Sequence, residues 1–192
     1  MKRWFTLSML TLLAVIFMST TGVAQYKAGN HYIGVNATVV TEPVGWGVNY
    51  EFGYEKNLGL GAIVRYFSPE DVPYYESTGT GNLKRETFMT MVQALYHPLP
   101  NAIYDPYGGL RVGYSYYSET WTTEGIVVGI SGEPKAKAES GISMSIVGGM
   151  RYFVASNISL EGALEYFLVN DQNYFRNESD TGLMFAINFT LN

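Results

Sequence analysis

From Tyr26 onward, apolar and polar residues alternate with a period of two, and hardly any stretch carries the i, i+3, i+4 spacing of an amphipathic helix. The pattern predicts a chain that is nearly all β. In residues 46–55 the even positions are Trp46, Val48, Tyr50, Phe52 and Tyr54, and the odd ones are Gly47, Asn49, Glu51, Gly53 and Glu55. One face is apolar and aromatic, the other small or charged. The same reading recurs over residues 31–40, 59–67, 88–97, 107–117, 141–153, 159–168 and 182–191. Residues 88–97 are the ambiguous member, because Met89, Met91 and Leu95 sit opposite Phe88, Val92 and Tyr96. Eight segments of about 9 to 11 residues match the length with which a tilted strand crosses a bilayer.

Alternation alone does not say which face points outward. A soluble eight-stranded carrier of the lipocalin kind keeps its apolar residues inside. Three features select the opposite orientation. The charged residues on the polar faces are Glu51, Glu55, Arg65, Arg111, Arg151, Glu161 and Glu165, whereas Lys27, Lys56, Lys84, Lys135 and Lys137 fall at strand ends or in connections. Arginine and glutamate without lysine suit a confined ion-pair network, since guanidinium meets carboxylate in a rigid fork. Glycine gathers on the same face at positions 47, 53, 59, 61, 109, 113, 141 and 149, where a narrow interior needs small residues beside large charged ones. Aromatic residues on the apolar face sit towards strand ends, as interfacial girdles do: Trp46, Tyr54, Tyr66, Tyr96, Tyr116, Tyr152 and Phe189.

The connections support the same architecture. Those after the second, fourth and sixth segments are short (56–58, 98–105 and 154–157), and those after the third, fifth and seventh are long (68–83, 118–140 and 170–180). The expected fold is an all-β, eight-stranded, antiparallel up-and-down transmembrane barrel with both termini in the periplasm. Ahead of it, Lys2 and Arg3 precede an apolar run from Leu7 to Met18, and small residues lead to a cut after Ala24. Residues 1–24 read as a cleaved signal peptide and 25–192 as the barrel domain. The run is shorter than the roughly 20 residues a spanning helix needs.

Composition narrows the function classes. Charged residues are only 15% of the chain, against roughly a quarter in a soluble domain, so part of the surface is covered by something other than water. A formal charge of −5 argues against nucleic acid as a partner, and the lack of cysteine removes disulfides and thiolate chemistry.

Phrases such as Gly53-Tyr54-Glu55-Lys56-Asn57-Leu58-Gly59-Leu60 and Tyr107-Gly108-Gly109-Leu110-Arg111-Val112-Gly113-Tyr114 complete a pattern that resembles the small outer-membrane β-barrels, the OmpA-transmembrane-domain and OmpX-like group of the "porin family". The resemblance spans about residues 25–192. It implies residence in the outer membrane among lipid and lipopolysaccharide, and insertion by the barrel-assembly machinery. That machinery reads an amphipathic last strand, which Leu183, Phe185, Ile187 and Phe189 match. The chain departs from the family at Thr190-Leu191-Asn192, which follow Phe189 where a terminal aromatic residue is expected.

Candidate chemistry is sparse. The interior charges could form a catalytic or conducting cluster, but at eight strands the lumen is filled by side chains, so they are expected to pair as a structural plug. His31 and His97 fall at the periplasmic ends of their strands, on the wrong leaflet for a lipid-modifying enzyme, and read as interfacial girdle residues. No metal or cofactor motif occurs. The expectation is a non-enzymatic protein; a lipid-modifying enzyme on the same fold and a soluble lipocalin-like carrier are the alternatives. Specificity is expected in the long connections, which would meet a surface protein or host partner. One carries Tyr74 and Tyr75; another carries Trp121 and the apolar run Ile126, Val127, Val128 and Ile130, which either docks a partner or packs on its own hairpin.

Overall fold

The computed structural model describes residues 25–40, 44–76, 79–100, 102–124, 137–170 and 181–192. The expected leader, residues 1–24, lies outside them. Eight strands follow one another around a single sheet: β1 (His31–Val39), β2 (Val44–Glu55), β3 (Leu58–Glu76), β4 (Gly79–Tyr96), β5 (Tyr104–Glu124), β6 (Lys137–Ala155), β7 (Ile158–Asn170) and β8 (Thr181–Leu191). Each pairs antiparallel with its chain neighbours, and β1 also pairs with β8, from His31 opposite Leu191 to Val39 opposite Leu183. This last pairing closes the barrel and removes its edges.

The period-two pattern is realised with the apolar face outward. Val92 is 64% exposed and Trp46 62%, while Asn36, Asn49, Glu51, Arg65 and Arg111 on the opposite face are buried. A closed sheet whose exterior carries this many bare aliphatic and aromatic side chains is built to be covered by hydrocarbon. The ambiguous segment resolves the same way: Phe88, Val92 and Tyr96 face out, and Met89, Met91 and Leu95 are buried inside with Ile63, Phe67 and Met184. The interior is therefore partly apolar, which the polar-face reading understated. Interior glycines make room. A Cβ at Gly59 would strike the Glu51 carboxylate, and one at Gly61 the Tyr50 carbonyl.

The largest departure from expectation is at the end of the barrel away from the termini. Much of what reads as long connection is strand: residues 68–76, 79–83, 118–124 and 137–140. β3 and β4 stay paired up to Glu76 opposite Gly79, and β4 and β5 up to Thr80 opposite Glu124. Four long strands, β3 to β6, thus rise past β1, β2 and β8 at this far end. Once a strand leaves the bilayer neither face needs to be apolar, so sequences such as Thr80-Gly81-Asn82 and Ser118-Glu119-Thr120 pair their backbones while carrying no alternation.

Candidate functional site

The interior charges form two centres, and the register explains how their members meet. Arg151 on β6 lies opposite Asp105 on β5 and Glu161 on β7. Its guanidinium extends across the lumen, where Nη2 donates to Glu51 Oε2 on β2 at 2.7 Å and to Glu161 Oε2 at 3.3 Å, while Nη1 lies 3.8 Å from Asp105 Oδ2. Glu161 also accepts from Asn188 Nδ2 at 2.7 Å and from the Tyr107 hydroxyl. From Asn188 an amide ladder continues through Asn49 to Asn36, tying β8, β2 and β1 together.

The second centre is built on Glu165 of β7. Its Oε2 is 2.7 Å from both Arg65 Nη1 and Arg111 Nη1, and its Oε1 accepts from Ser145 Oγ at 2.6 Å. Arg111 Nε donates to Gln93 Oε1 at 3.0 Å. Between them the two centres reach all eight strands. The six charged residues Glu51, Arg65, Arg111, Arg151, Glu161 and Glu165 are each no more than 5% exposed. Charges so far from water are tolerated when paired, and each of these has an opposite charge beside it, although Arg65 Nε, Arg65 Nη1 and Arg151 Nη1 make no hydrogen bond of good geometry.

His97, just past β4, completes the first centre. Its Nδ1 lies 2.8 Å from Asp105 Oδ1 and its Nε2 2.8 Å from Glu51 Oε1. A neutral imidazole has one N–H, so meeting a carboxylate at both nitrogens calls for the doubly protonated ring. Burial pulls its pKa down, and the hydrogen bonds and charges of Asp105 and Glu51 outweigh that pull, so it stands above the ordinary value.

Two expectations are corrected. Glu55 is not part of the network; a register shift between Gly53 and Glu55 pairs it with Leu58 at the β2–β3 turn, where it is exposed. His97 is not a girdle residue: its position beyond the strand lets it fold inward, fully buried. His31 does sit in the outer ring, with Nδ1 2.8 Å from the Tyr50 hydroxyl. Sequence reasoning missed Asp105, read as connection, and the neutral partners Tyr107, Gln93, Ser145, Asn49 and Asn188. Their signal was available for Gln93, Ser145, Asn49 and Asn188, which share the charged face by alternation.

Leu183, Phe185, Ile187 and Phe189 line the outside of β8 beside β1. Tyr74 and Tyr75 lie on β3 and Trp121 on β5, in the projecting part, where only the backbone is described. Ile126, Val127, Val128 and Ile130 lie outside the described residues.

No family model matches the chain, and no curated protein matches it. Solved structures do. The N-terminal β-barrel domain of Pseudomonas aeruginosa OprF superposes with a TM-score of 0.53 at 13% identity, covering 85% of this chain and 98% of that one. OprG from Pseudomonas aeruginosa gives 0.55 at 13% identity, covering 89% and 100%. Ail, the attachment invasion locus protein of Yersinia pestis, gives 0.52 at 13% identity, covering 86% and 100%. The fold is that of the small outer-membrane β-barrels. Identity this low carries the architecture and nothing finer, so residue roles in this small barrel rest on its own geometry.

Proposed function

We propose that this chain is a non-enzymatic integral protein of the outer membrane, with its lumen closed to ion flow by its own side chains. Both termini face the periplasm, and the β3–β6 projection stands on the cell surface, where it contributes to envelope structure or meets a surface or host partner. The observation that carries the reading is the inverted distribution of side chains: a paired ionic interior inside an exposed apolar belt. Its surroundings are then outer-membrane lipid and lipopolysaccharide, with the barrel-assembly machinery as partner during insertion. The geometry of His97 speaks against acid–base work on lipid, since both ring nitrogens already face buried carboxylates.

The test combines fractionation and conductance. The protein is expected to partition into the outer-membrane fraction, to shift on unboiled gels, and to give no stable openings in planar bilayers. Stable unit conductance of the purified wild type would refute the closed lumen; recovery in the periplasmic soluble fraction would refute the membrane assignment. Exchanging residues 126–130 for Gly/Ser and comparing crosslinked partners on whole cells tests the surface role, which fails if the captured set is unchanged.

A further inference from the structure

At the end of the barrel holding the termini, the residues before β1 fold back over the mouth. Tyr26 is 1% exposed, whereas Lys27, Ala28 and Gly29 are in solvent. Its ring stacks on the His97 imidazole at 3.8 Å between centroids and 10° between planes, and on Tyr32 at 5.4 Å and 11°. Tyr26 is thus the middle of a three-ring stack, and the ring beneath it is the imidazolium held between Asp105 and Glu51. Phe153 completes the buried aromatic group with Tyr26 and Tyr32.

The segment that carries Tyr26 is held by little else. Gly29 N donates to the Gly53 carbonyl at 2.7 Å, Gly53 N to the Asn30 carbonyl at 2.9 Å and Lys27 N to the Tyr32 hydroxyl at 2.7 Å; that hydroxyl in turn reaches the Lys27 carbonyl at 3.5 Å and bonds the Asn30 side chain. The turn requires Gly29, with φ at +86°, and Gly53, where a Cβ would strike the Lys27 carbonyl. None of these residues before His31 belongs to the barrel ladder. The Tyr26 hydroxyl is buried and finds no hydrogen-bond partner. A buried donor without a partner weakens the docking that the ring strengthens. The combination of a well-matched ring, a mismatched hydroxyl and a short tether that lies outside the barrel ladder describes a seat that its occupant can leave.

We propose that the terminal mouth is a binding seat for one planar aromatic ring, filled by the chain's own Tyr26, and that residues 25–30 are a stopper that withdraws without opening the barrel. The seat takes an aromatic ring because its floor is a cationic imidazole, which attracts a π face, and its wall is Tyr32. Withdrawal uncovers His97 and, through it, the Glu51–Arg151–Asp105 centre. The stopper therefore decides whether that centre meets solvent at this end.

The test uses the folded full barrel in detergent with His31→Gln, so that His97 is the sole imidazole, and follows by NMR the exchange reaction of its two ring N–H protons with solvent. Tyr26→Ala is expected to speed the reaction by about tenfold or more, as local opening replaces a closed seat, while the heat-modifiable gel shift persists. Adding 4-methylphenol is expected to slow it again by refilling the seat. Tyr26→Phe keeps the ring and discards the partnerless hydroxyl, so it should react no faster than Tyr26. A folded Tyr26→Ala protein whose His97 stays protected, or whose exposed His97 ignores 4-methylphenol, overturns the seat; so does faster reaction in Tyr26→Phe. Should Tyr26→Ala fail to fold, amide exchange in the otherwise unaltered chain decides. Gly29 and Gly53 amides exchanging faster than the β1–β2 ladder support the stopper, and equal protection refutes its withdrawal.

Discussion

Replacing Arg151 by methionine keeps most of the side-chain volume and deletes the charge that joins three carboxylates. Arg151 is 1% exposed, and its Nη2 alone holds Glu51 at 2.7 Å and Glu161 at 3.3 Å. Without it Glu51 and Asp105 keep His97 as a cationic neighbour, and Glu161 keeps the neutral donors Tyr107 and Asn188. A hydrogen bond to a charged group contributes about 1.5–3 kcal/mol net, and removing one partner of a buried pair costs about 3–5 kcal/mol. A loss of about 3–5 kcal/mol is expected in urea unfolding of the refolded barrel, followed by tryptophan fluorescence and by mobility of unboiled samples. Glu51→Gln added to Arg151→Met should lose less than the two single changes summed, with a coupling of about 0.5–3 kcal/mol, because it removes one of the stranded charges. A loss under about 1 kcal/mol for Arg151→Met would place the pairs in the range of exposed ion pairs. The interior would then be wet, and the account of a desolvated network would fall.

Three further outcomes are expected. Gly61→Ala should destabilise the barrel, because its Cβ would strike the Tyr50 carbonyl, while Gly162→Ala on the outer face, with nothing within 4 Å, should be neutral or stabilising; equal effects in denaturant titrations would contradict the packing. The raised His97 pKa makes its contribution complete below about 6.5 and lost as pH rises through the folded value, so unfolding free energy should fall on the alkaline side and His97→Gln should flatten that slope. Val92→Arg, on the outer face of β4, should cost about 2–4 kcal/mol when refolding is measured in lipid bilayers, and a tolerated arginine would deny that this face meets hydrocarbon.

The barrel was legible because alternation is a local property that sheet geometry turns into two faces. Trp46, Val48 and Tyr50 needed no knowledge of their neighbours to be assigned outward once arginine, glutamate and glycine had identified the other face. Six of the seven charges assigned to the interior are there for the same reason. Glu55 failed because one bulge cancels the parity on which its assignment rested. His97 and Asp105 were hidden for a different reason: they lie at or beyond strand ends, where a side chain's direction is set by the turn and by its partners. The projecting part of β3 to β6 carries no apolar–polar alternation, so the period of two could not mark it as strand.

The placement of the charges has a consequence for how such a chain reaches its closed form. Every second residue of a barrel strand must face the lumen. Were that face apolar too, segments of about ten residues would be hydrophobic throughout, and exposed in transit they would associate with one another. A polar lumen face avoids this, but it commits charges to an interior where they are tolerable only in pairs. Some of those pairs join adjacent strands, as Arg151 with Glu161, but others are not local. Glu51 meets Arg151 from 100 residues away, and Arg65 meets Glu165 across the same lumen. An open sheet with β8 unpaired from β1 leaves such charges hydrated, and only the closed cylinder both removes their water and supplies their partners. The cross-lumen pairs therefore favour the closed cylinder on electrostatic grounds, in addition to the ladder between β1 and β8.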